Sequence, residues 1–236
     1  QEFVPVDLDF PLLLLHGNKD AIWDSLHSET LSRCLAPRIH FRKPYRSRPN
    51  EVDLLSELIR VEVGPAVSVT NTLVVLLESR RFGAEIANLI WDTTAHLQRA
   101  MLLLERTQEG QGRNDPSAYS FISQQTIGEP ARHHHDTDWT LILRYVVASV
   151  RVLLDQDRDK LRRAIRIWET QNYTVFRRLV LWAYSELLPE SAEDIVLYLE
   201  SLPTEDFWSL QLRSEIATVI DNIGEAGSTE AISRIS

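Results

Sequence analysis

The sequence contains little of the material from which catalytic loops and disulfide frameworks are built. Its 236 residues include one cysteine, one methionine and eight glycines. Cys34 cannot form an internal disulfide, which is typical of a reducing compartment, and its helical spacing from Leu31 and Leu35 favours a place in the core. No glycine-rich phosphate loop, G-x-S-x-G or H-E-x-x-H motif occurs. We therefore predict that this segment is not an enzyme and that it holds no cofactor.

Long hydrophobic runs are also missing. The longest apolar stretches, such as residues 11–15 and 73–77, are far shorter than the roughly 20 residues that a membrane span needs, and no signal peptide is visible. The formal net charge of -9 argues against a general nucleic-acid binder, although an acidic chain can still carry a local basic patch. With 44% apolar and 25% charged residues, the composition is that of an ordinary globular protein, which we expect in the cytoplasm.

The strongest pattern in the chain is the helical periodicity of residues 173–188, YTVFRRLVLWAYSELL. Only Arg177, Arg178, Ser185 and Glu186 are predicted to point outward. So wide an apolar surface predicts a helix with neighbours on more than one side. The residues that repeat at spacings of three and four are Phe176, Leu179, Val180, Ala183 and Leu187.

Helices joined by short turns are predicted on both sides of this segment. Asp138, Asp157 and Ser191 are suitable N-caps, and Pro203-Thr204 can start a further helix. The predicted ranges are 138–154, 157–168, 191–202 and 203–221. Helices of this length with turns of a few residues are antiparallel neighbours. We therefore predict an all-α fold in which antiparallel helical pairs stack as an irregular α-solenoid of the HEAT or TPR kind.

The first half of the chain is less regular. Helices are predicted at residues 12–15, 20–36, 50–59, 65–81 and 84–105. Residues 61–69 are β-branched and could form a strand, but Pro65 is well placed at the start of a helix, which favours the helical interpretation.

Glycine and proline punctuate residues 107–136, which we predict to be a linker or extended arm. The expected organisation is an irregular helical front part at 1–106, this linker, and a regular helical-repeat part at 137–236.

A basic stretch, residues 37–49, is one candidate binding site. Its prolines predict an exposed loop. Arginines with interleaved aromatics, here Phe41 and Tyr45, can hold phosphates and stack bases, so one alternative function is a nucleic-acid-binding helical repeat. A solvated loop, or an arm docked on an acidic surface, requires only ordinary electrostatics. The basic residues are Arg38, Arg42, Lys43, Arg46 and Arg48.

The sequence RHHHDTD at residues 132–138 is a second candidate. Imidazoles and carboxylates are metal ligands, but adjacent histidines on a loop cannot all converge on one ion. A polar helix entry with Asp136 or Asp138 as N-cap is the simpler interpretation. The alternative, a helical metal-dependent enzyme using the His133–Asp138 cluster, predicts that His133 or His135 meets a carboxylate such as Glu186 or Asp194. A third cluster, the arginine face of residues 158–166, is predicted to be solvated and ion-paired.

The second half of the chain resembles the helical C-terminal regions of large bacterial anti-phage proteins. The segments that carry the resemblance are SAYSFISQQTIGEP, HHHDTDW, LILRYVVASVRVLLDQD, YTVFRRLVLWAYSELL and DFWSLQLRSEI. Proteins of this kind join a STAND-type NTPase (the Avs group), or a sirtuin-like effector, to a long α-solenoid. The first residue is Gln1 rather than Met, so we expect this chain to be part of a larger protein.

The resemblance implies a sensing or scaffolding function. The segment would recognise an invader's protein, such as a phage protein, and relay the event to other domains of the same larger chain, where any ATP or NAD chemistry would reside. No functional residue is carried over, and the oligomeric state is left open. In a groove lined by successive helices, the aromatic residues to consider as anchors are Trp168, Trp182 and Trp208, although a tryptophan is more often part of the core than of an interface.

Overall fold

The computed structural model describes residues 10–18, 20–42, 60–79, 81–108, 127–128, 139–188 and 190–225. Within these ranges the chain is mostly helical, as predicted, with eleven α-helices. They are α1 (Phe10–Gly17), α2 (Ser25–Leu35), α3 (Thr70–Ser79), α4 (Gly83–Asn88), α5 (Ile90–Gln108), α6 (Thr140–Gln156), α7 (Arg158–Glu169), α8 (Thr174–Glu186), α9 (Ala192–Ser201), α10 (Thr204–Phe207) and α11 (Arg213–Glu225). Among them, none has the length and apolar character needed to cross a membrane.

A two-stranded antiparallel sheet corrects the all-α prediction in part. Strand β1 (Arg38–Arg42) pairs with β2 (Arg60–Gly64), with Arg38 opposite Gly64 and Phe41 opposite Val61. The first residues of the predicted basic loop are therefore a strand, and a strand also occupies the start of the β-branched stretch. Alternating apolar residues on β1 and valines on β2 suit an extended strand pair, in which Val63 is buried while Ile39 and Phe41 are exposed. The sequence pattern was ambiguous because the pairing joins distant segments.

Several helix boundaries differ from the predicted ones. The helix expected from Pro65 begins only at α3, after a 3-10 turn at Val67–Val69. The helix expected at 84–105 is broken at Leu89, whose amide bonds back to the Ile86 carbonyl in a tight turn. The helix expected at 203–221 is two helices, because the Ser209 hydroxyl accepts the Leu212 amide at 3.3 Å and gives the backbone a turn in place of a continuous helix.

The N-caps explain where helices begin. Asp24, rather than the expected Asp20, caps α2, and its carboxylate accepts the His27 amide at 3.0 Å. Asp157 caps α7 as predicted, accepting the Lys160 amide at 2.8 Å. Ser191 precedes α9, but its hydroxyl donates to the Tyr184 carbonyl at 2.7 Å and does not cap the helix. Asp138 lies outside the described residues.

The chain divides into two compact units, one formed by residues 1–114 and 135–149 and the other by 115–134 and 150–236. The division falls inside α6, between Ser149 and Val150. Most of the predicted linker at 107–136 lies outside the described residues, as does the predicted helix at 50–59, so the three-part organisation stays a prediction.

The first unit contains α1 to α5, the two strands and the first half of α6. Tyr145 crosses its core, and its hydroxyl donates to the Leu73 carbonyl at 2.7 Å. Cys34 is buried in this core, as its spacing predicted. The buried cluster is Leu12, Leu15, Leu31, Cys34, Leu35, Val69, Leu73, Leu76, Phe82, Ile86, Leu141 and Tyr145.

The second unit is organised around α8, which packs against α7, α9 and α11. Its predicted apolar stripe is confirmed, because Phe176, Leu179, Val180, Ala183 and Leu187 are all buried. The outward orientation predicted for Arg178 and Ser185 is wrong, since both side chains are buried as well. Helix α8 is thus enclosed on nearly all sides, and its buried arginine requires a partner.

Candidate functional site

A buried ion pair lies at the centre of the second unit. Arg178 of α8 donates to Glu215 Oε1 of α11 through Nε at 2.9 Å and Nη2 at 2.7 Å. The two side chains are only 4% and 1% exposed. Burial raises the pKa of Glu215, while the hydrogen bonds and the positive charge of Arg178 act in the opposite direction. The pair therefore holds two desolvated charges whose stability depends on each other.

The same carboxylate oxygen binds a turn from a distant part of the chain. The Ile127 amide donates to Glu215 Oε1 at 3.0 Å, and Ile127 is buried. The next residue, Gly128, lies against the Trp182 ring, and its carbonyl accepts a hydrogen bond from Arg151. A Cβ placed on Gly128 would lie 2.7 Å from Trp182 Cε2, so no side chain fits there.

We call Arg151, Arg178, Trp182 and Glu215 the turn receiver. They come from α6, α8 and α11 and surround one two-residue turn. Glu215 Oε2 is buried and makes no hydrogen bond with the residues that the structure describes. The receiver is therefore a polar site inside an apolar core, with backbone groups as its bound partner.

Sequence reasoning missed the receiver almost completely. Arg178 was expected at the outward edge of α8, and Ile127 and Gly128 were expected within a linker. The available signal was small: Arg178 lies four residues before Trp182, on the same helix face as a buried aromatic residue. Its partner, Glu215, is 37 residues away in the chain, and nothing in the sequence paired the two.

An exposed apolar loop joins α10 to α11. Trp208 and Leu210 are each 77% exposed, and Phe207 packs edge-on against Trp208 with ring centroids 5.1 Å apart. We call Phe207, Trp208 and Leu210 the Trp208 tip. Helix α10 is tied to α8 by Arg177, which lies 2.7 Å from the carboxylate of Asp206. Large apolar side chains are thus held at the surface by an ordered support.

Of the three tryptophans predicted as interface anchors, only Trp208 is exposed. Trp168 and Trp182 are buried in the second unit. The Trp182 indole nitrogen donates to Glu186 Oε1 at 2.9 Å, which satisfies its one polar atom. Both therefore serve the core, the more common place for a tryptophan, and of the three considered only Trp208 is available as an anchor.

The structure covers only part of the predicted basic site. Arg38 and Phe41 are exposed on β1. For Arg42 only the backbone is described, as part of the same strand, and Lys43, Arg46 and Arg48 lie outside the described residues. The nucleic-acid function proposed for this segment stays a prediction.

The histidine cluster also lies outside the described residues. The two carboxylates suggested as its partners already have others: Glu186 accepts from Trp182, and Asp194 accepts from Arg166 Nη2 at 3.2 Å. Among residues that the structure describes, no group of three or more His, Cys, Asp or Glu side chains could hold a metal ion. A metal site at His133–Asp138 stays untested.

The arginine face of α7 forms an ion-paired surface, as predicted. Arg158 and Arg162 share Glu190 at 2.6 and 2.8 Å, and Arg166 reaches Asp194 at the start of α9. These groups are about half exposed, so each pair contributes little to stability. These ion pairs align α7 with the start of α9. The three arginines that form them already have carboxylate partners.

Comparison with known proteins gives no family for this chain. No protein-family model, no curated protein and no solved structure matches it. Its function is therefore inferred from its own residues and their geometry.

Proposed function

We propose that the chain is a protein-binding helical module and that the Trp208 tip is its contact surface. The observation that carries this proposal is the high exposure of Trp208 and Leu210, 77% each, on one short loop. Tryptophan is among the residues most enriched at the energetic centres of protein interfaces. An exposed Trp beside an exposed Leu offers an apolar contact that the second unit itself does not use.

The tip is anchored at both ends, an arrangement that lowers the entropy cost of binding. On one side, the Arg177–Asp206 ion pair holds α10; both side chains are mostly shielded from solvent. On the other side, Leu212 is buried just before α11. A binding residue that is already ordered loses less freedom on association than one on a loose loop.

The acidic residues near the tip are partly neutralised within the chain. Residues 191–212 contain five acidic residues and no Lys, Arg or His, but Asp194 is paired with Arg166, Asp206 is paired with Arg177, and Arg213 follows directly. The apolar side chains of the tip therefore carry the contact, and the partner is a protein with an apolar pocket.

The wider proposal concerns the larger protein. The packing of α8 against α7, α9 and α11 is compatible with a stack of helical pairs, and we propose that these helices belong to an α-solenoid. The resemblance of residues 117–188 supports placing it in a bacterial antiviral defence protein. There it would recognise an invader protein or scaffold an effector domain.

The test compares a variant at the tip with one elsewhere. A photo-crosslinking amino acid at position 208 identifies proteins that contact the tip. The same amino acid at exposed position 22 is the control. The affinity of the purified partner is then measured for wild type, Trp208→Ala and Ile22→Ala. We expect Trp208→Ala to weaken binding by about 30-fold or more, as for an interface hot spot, and Ile22→Ala to change it by less than about twofold.

Two results would contradict the proposal. One is a partner that binds wild type and Trp208→Ala equally well. The other is salt-sensitive binding of single-stranded nucleic acid that is lost in Phe41→Ala and kept in Trp208→Ala. The second result would favour the alternative function, which has its own support in the exposed Phe41 and Arg38 on β1.

A further inference from the structure

We propose that strand β1 receives an extended acidic peptide as an additional strand of the two-stranded sheet. The site belongs to the first unit and does not depend on the Trp208 tip. The peptide pairs with the backbone of Arg38–Arg42 along the edge that faces away from β2. Three observations support this proposal: β1 is the outer strand of the sheet, its residues are exposed, and its only charged residues are arginines.

Strand β1 is the outer of the two strands. Within the residues that the structure describes, the sheet consists of β1 and β2, so each strand is paired along one edge only. Strand β2 packs against α5, and its Val63 and Gly64 are buried. On β1, Arg38 is exposed and Phe41 is 73% exposed. An edge strand presents unpaired N–H and C=O groups to which an extended peptide can be added.

Strand β1 is held in place at its inner side. The His40 ring donates from Nε2 to the Pro65 carbonyl at 2.8 Å, just beyond the end of β2. Pro37, which precedes the strand, is buried. A binding edge that is already ordered loses less freedom on association than a loose segment, so the free edge of β1 is a prepared template for a peptide.

The register of the sheet defines the chemistry of the peptide. Arg38 and Arg42 lie on one face of β1, and Ile39 and Phe41 lie on the other. A strand added at the free edge places residues beside each of these four. Opposite charges and apolar pairs are the favourable neighbours across strands. The fitting peptide is therefore acidic, apolar, any residue, apolar, acidic, and this order is the same for both strand directions.

The same register argues against a second copy of the chain as the added strand. If two β1 strands paired antiparallel around His40, Arg38 of each would lie opposite Arg42 of the other. Like charges directly opposite each other are destabilising, and charged edge strands exclude strands of the same sign in this way. A single-stranded nucleic acid is also acidic, but it has no peptide groups to pair with the edge. An acidic peptide therefore matches both the backbone and the charge of β1.

Fluorescence anisotropy on the complete chain tests the site with two labelled peptides. One contains Glu-Val-Thr-Val-Glu and the other Lys-Val-Thr-Val-Lys, between identical neutral flanks. We expect wild type to bind the acidic peptide at least about tenfold more tightly. The double variant Arg38→Glu, Arg42→Glu should reverse this preference, because the attractive and repulsive charges are exchanged. The matched control, Arg163→Glu with Arg213→Glu, changes two exposed arginines elsewhere and should leave the preference unchanged.

The backbone pairing is tested with methylated forms of the acidic peptide. Amides of alternate residues point to the same edge of a strand, so methylating the two Val amides blocks one edge, and methylating the Thr and Glu amides blocks the other. One of these peptides should bind at least about tenfold more weakly, and the other about as well as the unmethylated peptide. Equal effects of the two methylations would overturn strand addition.

Three other results would also overturn the proposal. The first is equal affinity of wild type for the acidic and the basic peptide. The second is an oligothymidylate that displaces the acidic peptide and binds more tightly, which would identify a nucleic-acid site. The third is a wild-type dimer in sedimentation that Phe41→Ala dissociates. If the double glutamate variant loses its helical circular dichroism, Arg38→Gln with Arg42→Gln replaces it, and the preference for the acidic peptide should then disappear; a preference that persists contradicts the proposal.

Discussion

Replacing Arg178 by methionine is expected to destabilise the second unit strongly. The substitution removes the positive charge and two of the three hydrogen bonds to Glu215 Oε1, and leaves a buried carboxylate with the Ile127 amide. Breaking a buried pair on one side costs about 3–5 kcal/mol in the free energy of unfolding. The adjacent pair, Arg177 with Asp206, is mostly shielded but keeps more solvent contact than Arg178 with Glu215, and Arg177→Met is expected to cost less, about 1 kcal/mol.

Urea unfolding followed by circular dichroism measures the free energy of unfolding of both variants. The two values can be compared when the m-value is the same for both. The double variant Arg178→Met, Glu215→Leu should recover most of the loss, because it removes the unpaired charge as well. A cost for Arg178→Met that does not exceed that of Arg177→Met would refute the reasoning. So would a double variant as unstable as the single one.

The pH dependence of the free energy of unfolding gives an independent check that the charged Glu215 carboxylate is costly to bury without Arg178. Burial holds the pKa of Glu215 above its ordinary value of 4.5. A group with a raised pKa in the folded state favours folding most below its unfolded pKa, and that contribution is lost as pH rises through the folded pKa. The deficit of Arg178→Met should therefore shrink between pH 7 and pH 4.5, because the protonated carboxyl group is less costly to bury.

Two further predictions concern the α7 N-cap and the half-buried His96. Asp157→Ala should lower the free energy of unfolding by about 1 kcal/mol, because the α7 N-cap is lost. The control is Asp155→Ala, at an exposed position that caps no helix. Its free energy of unfolding should stay within about 0.5 kcal/mol of wild type in the same urea titration. Burial lowers the pKa of His96, although Asp92 opposes the shift. The stability that the neutral ring provides is present above pH 6.5 and is lost as the pH falls through the folded pKa. The urea midpoint should therefore fall more between pH 7.5 and pH 5.5 for wild type than for His96→Gln. Equal falls in the two proteins would contradict this prediction.

Local pattern was sufficient to predict most helices of the second half of the chain. The ranges of α6 to α9 follow the apolar periodicity, because the residues that each helix buries recur at helical spacing within its own sequence. The Asp157 cap was also predictable, since its acceptor and donor lie three residues apart. The N-cap predicted at Ser191 is wrong for a reason that lies outside its own helix: the hydroxyl donates to the Tyr184 carbonyl of the preceding helix.

Features that depend on distant partners were not predictable from the pattern. Strand β1 is defined by its pairing with β2 across a stretch of intervening chain, and each strand alone is too short to be distinguished from a loop. Arg178 was assigned outward because a charged residue is usually solvated. Only the position of Glu215 makes burial favourable, and no periodicity within α8 contains that information. Gly128 was read as a linker residue because glycine marks turns in general, whereas its specific role depends on the Trp182 ring.

Two consecutive residues of α8 connect the turn receiver with the support of the Trp208 tip. Successive residues on a helix point about 100° apart, so Arg177 and Arg178 address different neighbours. Arg178 is directed inward to Glu215, and through it to the Ile127–Gly128 turn, while Arg177 reaches Asp206 in the short helix that precedes the Trp208 tip. The receiver and the tip are therefore both supported by α8, whose buried stripe fixes both arginines. A change in the core around α8 would disturb both features, whereas a change at the Ile127–Gly128 turn alone would leave the support of the tip intact.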